Sequence, residues 1–247
     1  MPAKNPHRAD EEGIYYHVYN KGIDQRAIFQ DEADYQTFLS FLEEYLSAPK
    51  TPESNKKDFT INGRLFRGVP HQPKNYFKKV ELVAYSLEPN HFHLLLNQLT
   101  PKSLQAFIRS LATRYSMYFN RKYKRSGTLF QGPYKSVQVK DQMGLLHLTR
   151  YLHKADGYSS YPEYQGQKET PWVRPKIVLS IKNKTASYKN FVEKYQLNQK
   201  EKELLNKIAI DDVDEHLERR NLAETSPKLS PRTFEFLIAS TVFVLLL

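Results

Sequence analysis

Two histidines spaced two residues apart, His91-Phe92-His93, stand in a run of β-prone residues. On a strand, side chains at i and i+2 point to the same face. Both imidazoles can then reach one ion while Phe92 packs behind them. Imidazole is a common metal ligand. Two ligands do not complete a site, however, and a histidine pair bonded to backbone or water has the same spacing, so the pattern alone leaves both readings open. Tyr151 is the second candidate. At the 3.6-residue period Leu145, Leu148 and Leu152 form the buried stripe of a helix, and His147, Tyr151 and Lys154 share a flanking stripe. This predicts an exposed Tyr151 hydroxyl with a base one turn before it and a cation one turn after. A phenol so placed is a candidate nucleophile once its proton is removed. With 17 tyrosines in the chain, residue type does not single it out, and an amphipathic helix with a mixed polar flank gives the same pattern.

The charge distribution suggests what such a site would act on. The 247-residue chain carries a formal net charge of +10, and no Asp or Glu occurs between Glu88 and Asp141. That stretch holds Lys102, Arg109, Arg114, Arg121, Lys122, Lys124, Arg125, Lys135 and Lys140, interleaved with Phe107, Tyr115, Tyr118, Phe119, Tyr123, Phe130 and Tyr134. A long acid-free run suits phosphate tracking by counterion release, and aromatics among cations suit stacking on single-stranded bases. A solvated basic face over core aromatics is the alternative. Cysteine is absent, which excludes disulfides and thiolate metal sites and fits a reducing setting. Residues 1–12 are polar and charged, with no apolar segment of the signal-peptide kind.

The elements that must position these residues follow from periodicity. Ile14–Tyr19 reads as a strand closed by Asn20-Lys21-Gly22. Asp31 caps a helix whose apolar stripe is Tyr35, Phe38, Leu39, Leu42, Tyr45 and Leu46. Residues 49–76 read as an insertion in which Asn62-Gly63 turns a hairpin of Phe59–Ile61 against Leu65–Phe66. Val80–Leu87 and His91–Leu96 are strands joined through Glu88-Pro89-Asn90. A second helix opens at Thr100-Pro101, with Pro at its first position, and buries Leu104, Phe107, Ile108, Leu111, Tyr115 and Tyr118. Arg121–Gly127 is a basic loop, Thr128–Val139 holds further strand, and Asp141 caps a third helix reaching about Ala155. Short helices are expected at Ile177–Ile181, Tyr188–Tyr195 and Leu204–Leu217, then a linker and an uncharged apolar tail, Phe236–Leu247, too short to span a bilayer. The order predicts an α+β fold with an antiparallel sheet.

Several segments, in order, resemble the single-tyrosine transposases of small insertion sequences, and most closely the REP-associated tyrosine transposases. They are Ile14–Gly22 with Ile28-Phe29, Asp34-Tyr35 and Phe38-Leu39; Ala84–Leu96 around the histidine pair; Arg125–Ser136; Leu145–His153; and Ser159–Tyr164. The resemblance covers roughly residues 13–195. It implies a ferredoxin-like antiparallel sheet with helices packed on it in residues 13–160, a helical C-terminal extension in 161–224, an N-terminal tail in 1–12, and a linker and apolar tail in 225–247. It implies a metal-dependent endonuclease and strand-transferase acting on single-stranded or hairpin DNA. In that chemistry Mg²⁺ or Mn²⁺ is held by His91 and His93, and Tyr151 forms a 5′-phosphotyrosine. His147, Lys154 and Glu88 are possible auxiliary residues. Arg109, Arg114, Arg121, Lys122, Lys124, Arg125, Gln131, Tyr134 and Lys135 are the expected DNA contacts. The expected setting is the cytoplasm, associated with the nucleoid, as a monomer or homodimer.

Two positions depart from the family pattern. Ala155-Asp156 stands where Asn-Pro is usual, so the position four after the tyrosine offers no third metal ligand. Glu88 replaces the usual Met before Pro-Asn-His. On a regular helix His147 lies within about 40° of Tyr151 while His153 points away, so His147 or Glu88, or water, is expected to fill the gap. A nucleic-acid-binding protein that has lost catalysis is the alternative function. An RNA-binding sheet module lacks its Gly-aromatic signature here, and the segments flanking the histidine pair set the chain apart from replication-initiating nucleases.

Overall fold

Alternation decides how the first strand is used. In β1 (Ile14–Lys21) Tyr16 and Val18 join the main hydrophobic core, and His17 and Tyr19 point to the opposite face. A computed structural model describes residues 11–49, 56–68, 74–154, 157–182, 185–193 and 199–209. The hairpin of the insertion is present as β2 (Lys57–Ile61) and β3 (Arg64–Gly68), turned by Asn62 and Gly63 at φ 49° and 75°. The central hairpin joins β4 (Val80–Glu88) to β5 (His91–Gln98). β6 (Lys135–Val139) and the short β7 (Tyr158–Ser159) complete a five-stranded sheet of order β6-β1-β5-β4-β7, antiparallel at every pairing. With α1 (Glu32–Leu46) after β1 and α2 (Ser103–Lys122) after β5, the element order and the order β6-β1-β5-β4 give the expected ferredoxin-like α+β arrangement.

The two faces of the sheet are covered differently. Phe92, Leu94 and Leu96 of β5 pack with Phe38 and Leu42 of α1 and with Phe107, Leu111 and Tyr115 of α2. Phe92 is fully buried, its ring 5.3 Å from Phe38 and 5.8 Å from Phe130. Burying such a side chain stabilises the fold by about 2–3 kcal/mol. The histidine face is covered instead by α3 (Gln142–His153), which contacts β4. α5 (Lys176–Lys182), α6 (Thr185–Glu193) and α7 (Gln199–Ile208) pack on α3 in turn, and the one-turn α4 (Tyr161–Tyr164) packs on α6. Asp31 and Asp141 cap α1 and α3, their carboxylates accepting from the N–H groups of Asp34 and Gly144. Each such cap is worth about 1 kcal/mol.

Several boundaries differ from expectation. β1 runs on through Lys21 because Asn20 and Lys21 still pair with Phe92 and His91, so the chain turns only at Gly22. α2 begins at Ser103, not at Pro101: Lys102 takes a left-handed φ of 62°, and the Ser103 hydroxyl bonds the carbonyls of Lys79 and Thr100. α7 starts at Gln199, five residues before the expected Leu204. The stretch from 210 onward, with the acidic patch at Asp211–Glu215, the linker and the apolar tail, lies outside the described residues, as do Ala155 and Asp156. Among the described residues no helix is long and apolar enough to cross a membrane.

Candidate metal and nucleophile site

The β4–β5 hairpin builds the site. Register pairs Glu88 with His91 and Ser86 with His93, so all four residues share the face opposite Phe92 and Leu87. Glu88, His91 and His93 each offer a ligand atom, and these atoms lie within 4.8 Å of one another. His93 is 1% exposed, whereas the His91 and Glu88 side chains are 12% and 15% exposed. The group is therefore closed at the centre of the sheet and open at the turn.

The donor set can be tested atom by atom. Asn90 Oδ1 only accepts, so at 2.6 Å the His91 Nδ1 carries a proton, and in the neutral ring His91 Nε2 keeps its lone pair. That nitrogen faces Glu88 Oε1 at 3.3 Å. Two lone-pair atoms at this separation repel unless a cation lies between them or the ring is protonated. Two imidazoles and a carboxylate on one face fit a divalent cation.

Tyr151 reaches the same face from above. Its ring stands edge-on to His93 with centroids 6.1 Å apart. Contrary to the expected exposed hydroxyl, Tyr151 is only 1% exposed. The reason is that every residue of α3 from Gly144 to His153 is buried, the outer side of the helix being covered by the C-terminal helices. The flanking stripe read from the sequence is thus an interface. His147 Nδ1 lies 3.0 Å from Arg150 Nη2, and its Nε2 lies 3.6 Å from Glu201 of α7. Lys154 caps the helix, its N–H directed to the carbonyls of Arg150 and Tyr151. Of the auxiliary candidates, Glu88 lies with the two histidines, and His147 faces α7.

His153 turns to the opposite side of α3. Its Nδ1 lies 2.7 Å from the Tyr188 hydroxyl and its Nε2 2.8 Å from Ser160 Oγ. Burial lowers its pKa to about 3.

Sequence reasoning gave His17 and Tyr19 no role. His17 Nε2 lies 2.9 Å from His93 Nδ1, and the Tyr19 ring sits 4.9 Å from His93 and 5.6 Å from His91. The available signal was the alternation of β1, which puts both on the face of the sheet carrying the histidine pair once β1 neighbours β5.

The basic residues fall into separate groups. Gln131 and Lys135 lie at the site end of the sheet: the Gln131 N–H bonds Lys21 O, Lys21 pairs with His91, and Lys135 Nζ stands over Tyr19. The C-terminal end of α2 reaches the same end, because Tyr115 bonds the Ile28 carbonyl and Ile28 N–H bonds Pro89 O. Arg121 and Lys124 are exposed there. Arg125 is held by Asn120 Oδ1 and Thr128 O. Lys122 is clamped 2.6 Å from Asp31 and 2.7 Å from Asp34. Burial opposes the charge on Asp34, but the bonds from Lys122, the Gln30 N–H, Tyr123 and Tyr118 outweigh it and leave its pKa lowered. Arg114 pairs with Glu44 at 2.6 Å and stacks 4.0 Å over Phe41. Arg109 is exposed on the outer side of α2, across the sheet from the histidines. Tyr134 is half-buried, and burial raises its hydroxyl pKa against the opposing charge of Arg109.

A search of curated proteins gives no match. Among solved structures, the REP-associated tyrosine transposase bound to a REP hairpin is similar at 11% identity and a TM-score of 0.38, covering 66% of this chain and 74% of that one. A protein of Deinococcus radiodurans R1 described as a candidate transposase is similar at 14% identity and a TM-score of 0.34, covering 62% of this chain and 99% of that one. Likeness this distant says nothing of activity. The sequence model of the family described as transposase, IS200-like, matches residues 72–155, the stretch that holds the His91–His93 strand and the Tyr151 helix, and bears out the family resemblance.

Proposed function

We propose that the protein is a transposase-like enzyme that cuts and rejoins single-stranded or hairpin DNA through a tyrosine, with a divalent cation held by His91, His93 and Glu88. The observation that carries this reading is the meeting of that donor cluster with the Tyr151 ring, 6.1 Å from His93. The family match over residues 72–155 supports a transposase in the coarser sense.

When bound, a divalent cation supplies Lewis-acid stabilisation of charge on the phosphate oxygens. The chain's own residues do the rest. DNA enters from the hairpin end, where Glu88 and His91 are partly open. Exposed Arg121, Lys124, Gln131 and Lys135 line that end and hold phosphates there. Tyr151 Oη attacks the phosphorus and gives up its proton to a base. The P–O3′ bond breaks, and the departing 3′ oxygen takes up a proton. A 5′-phosphotyrosine and a 3′-hydroxyl result. Attack of a 3′-hydroxyl on that phosphotyrosine re-forms a phosphodiester and returns the phenol, so rejoining needs no nucleotide cofactor.

A second reading, a DNA-binding protein that does not cut, is favoured by the burial of Tyr151 at 1% exposure. Incubation with labelled single-stranded hairpin DNA and Mn²⁺, followed by denaturing electrophoresis, separates the two. The enzyme reading expects a covalent adduct that is lost with a chelator and in His91→Ala. A mobility shift on native gels with no adduct under any metal condition leaves the binding reading in its place.

A further inference from the structure

His17 is fully buried and touches two segments distant in sequence. Its Nδ1 lies 2.6 Å from the backbone carbonyl of Ile208, the last residue of α7, and its Nε2 lies 2.9 Å from His93 Nδ1. A carbonyl oxygen only accepts, so His17 Nδ1 must donate. A neutral His17 then has Nε2 as its acceptor, and the proton between the two rings belongs to His93 Nδ1. This arrangement leaves His93 Nε2 as the nitrogen with the ligating lone pair. Had His17 been turned to give its Nε2 a proton, His93 Nδ1 would become the acceptor, and the proton of a neutral His93 would sit on Nε2.

We propose that His17 is a positioning residue that holds His93 in the Nδ1–H tautomer through a relay anchored on the Ile208 carbonyl. It rests on the metal reading given above and deepens it. Ligating histidines commonly give their second nitrogen to a fixed acceptor, which sets both tautomer and ring plane. Here that acceptor is another histidine, and the anchor behind it is the end of a C-terminal helix. The ring planes agree: His17 and His93 lie 17° from parallel with centroids 5.1 Å apart, as a nearly in-plane hydrogen bond between the rings requires, so a tilt of one ring displaces the other. Docking of α7 is thereby coupled to the readiness of His93 to bind a cation, although no residue of α7 is in the donor cluster.

The test has two readouts on the full-length, metal-free protein. Long-range ¹H–¹⁵N NMR at roughly pH 8, where an ordinary histidine is neutral, reports the tautomer of His93 directly. Electron paramagnetic resonance of unbound Mn²⁺ reports affinity. The wild type should show His93 protonated on Nδ1. His17→Phe should lose that preference and bind Mn²⁺ at least about tenfold more weakly, within the range for lost orienting partners. His17→Gln can accept from His93 with its carbonyl and donate to Ile208 with its amide, and should stay within about threefold of the wild type on that scale. A role in stability alone would lower the melting temperature of His17→Phe and leave tautomer and affinity unchanged in the folded fraction. Wild-type His93 protonated on Nε2 overturns the proposal even if neither variant folds. Wild-type protein with the Nδ1–H tautomer but no Mn²⁺ binding upholds the relay and removes the metal reading.

Discussion

His153 Nδ1 and the Tyr188 hydroxyl lie 2.7 Å apart, joining the helix that carries Tyr151 to the C-terminal helices through a buried imidazole. Burial depresses the His153 pKa to about 3, against an ordinary value of 6.5. The unfolded chain therefore binds a proton that the folded chain refuses throughout that interval. Stability from this group is complete above about pH 6.5 and falls by about 1.4 kcal/mol per pH unit below it. His153→Phe removes two hydrogen bonds and should lower the melting temperature near neutrality. It should also flatten the loss of stability between about pH 6 and 4. Denaturant melts across that range check both effects, and an unaltered slope contradicts the assignment.

Lys122 joins α2 to Asp31 and Asp34, and is predicted to hold the helices together rather than to contact phosphate. Asp34 is fully buried and takes bonds from Lys122, Tyr118, Tyr123 and the Gln30 N–H. Lys122→Ala leaves that carboxylate without its cation and should cost about 2 kcal/mol of stability. Arg121→Ala with Lys124→Ala, at exposed positions, should leave stability within about 0.5 kcal/mol and flatten the salt dependence of DNA binding. A Lys122→Ala protein as stable as the wild type but with the salt slope reduced would reverse these roles.

Glu201 fastens the C-terminal helices to α3, the helix that carries Tyr151. Its carboxylate lies 3.6 Å from both His147 Nε2 and Arg150 Nη2, and the Arg150 guanidinium stacks 4.1 Å over Phe191. Arg150 is 3% exposed, so Glu201→Ala takes a carboxylate away from a buried cation. A loss of about 1–3 kcal/mol is expected, with faster amide exchange in α6 and α7. Unchanged exchange in these helices would show that Phe191 packing alone holds them.

Much of the frame was legible from period and punctuation. The alternation of β1, the Asp31 and Asp141 caps, the Asn62-Gly63 turn and the strand pair around Pro89-Asn90 are local signals, and local signals survive folding. Glu88 was legible as a neighbour of the histidine pair because a short hairpin turn places it there. His17 and the burial of Tyr151 were not, because both depend on contacts across the sequence: β1 beside β5, and α7 closing over α3. A helical wheel assigns polar flanks to solvent, and it has no means of knowing that residues 199–208 will cover them. The acid-free run meets the same limit. Lys122 and Arg114 find carboxylates on α1, about 70 or more residues away in sequence, so a one-dimensional charge count overstates the surface left for phosphates.

Peptide mapping of the adduct decides whether Tyr151 is the group that joins DNA. With 17 tyrosines a gel band alone does not name the residue. Trypsin cuts after Arg150 and Lys154, releasing a four-residue peptide with Tyr151 as its only tyrosine. Protein incubated with single-stranded hairpin DNA and Mn²⁺, treated with nuclease and trypsin, should yield that peptide carrying nucleotide mass on the phenol. Tyr151→Phe should bind the same DNA and yield no modified peptide at all. Nucleotide mass on a different tyrosine, or an adduct of equal yield in Tyr151→Phe, would contradict the account.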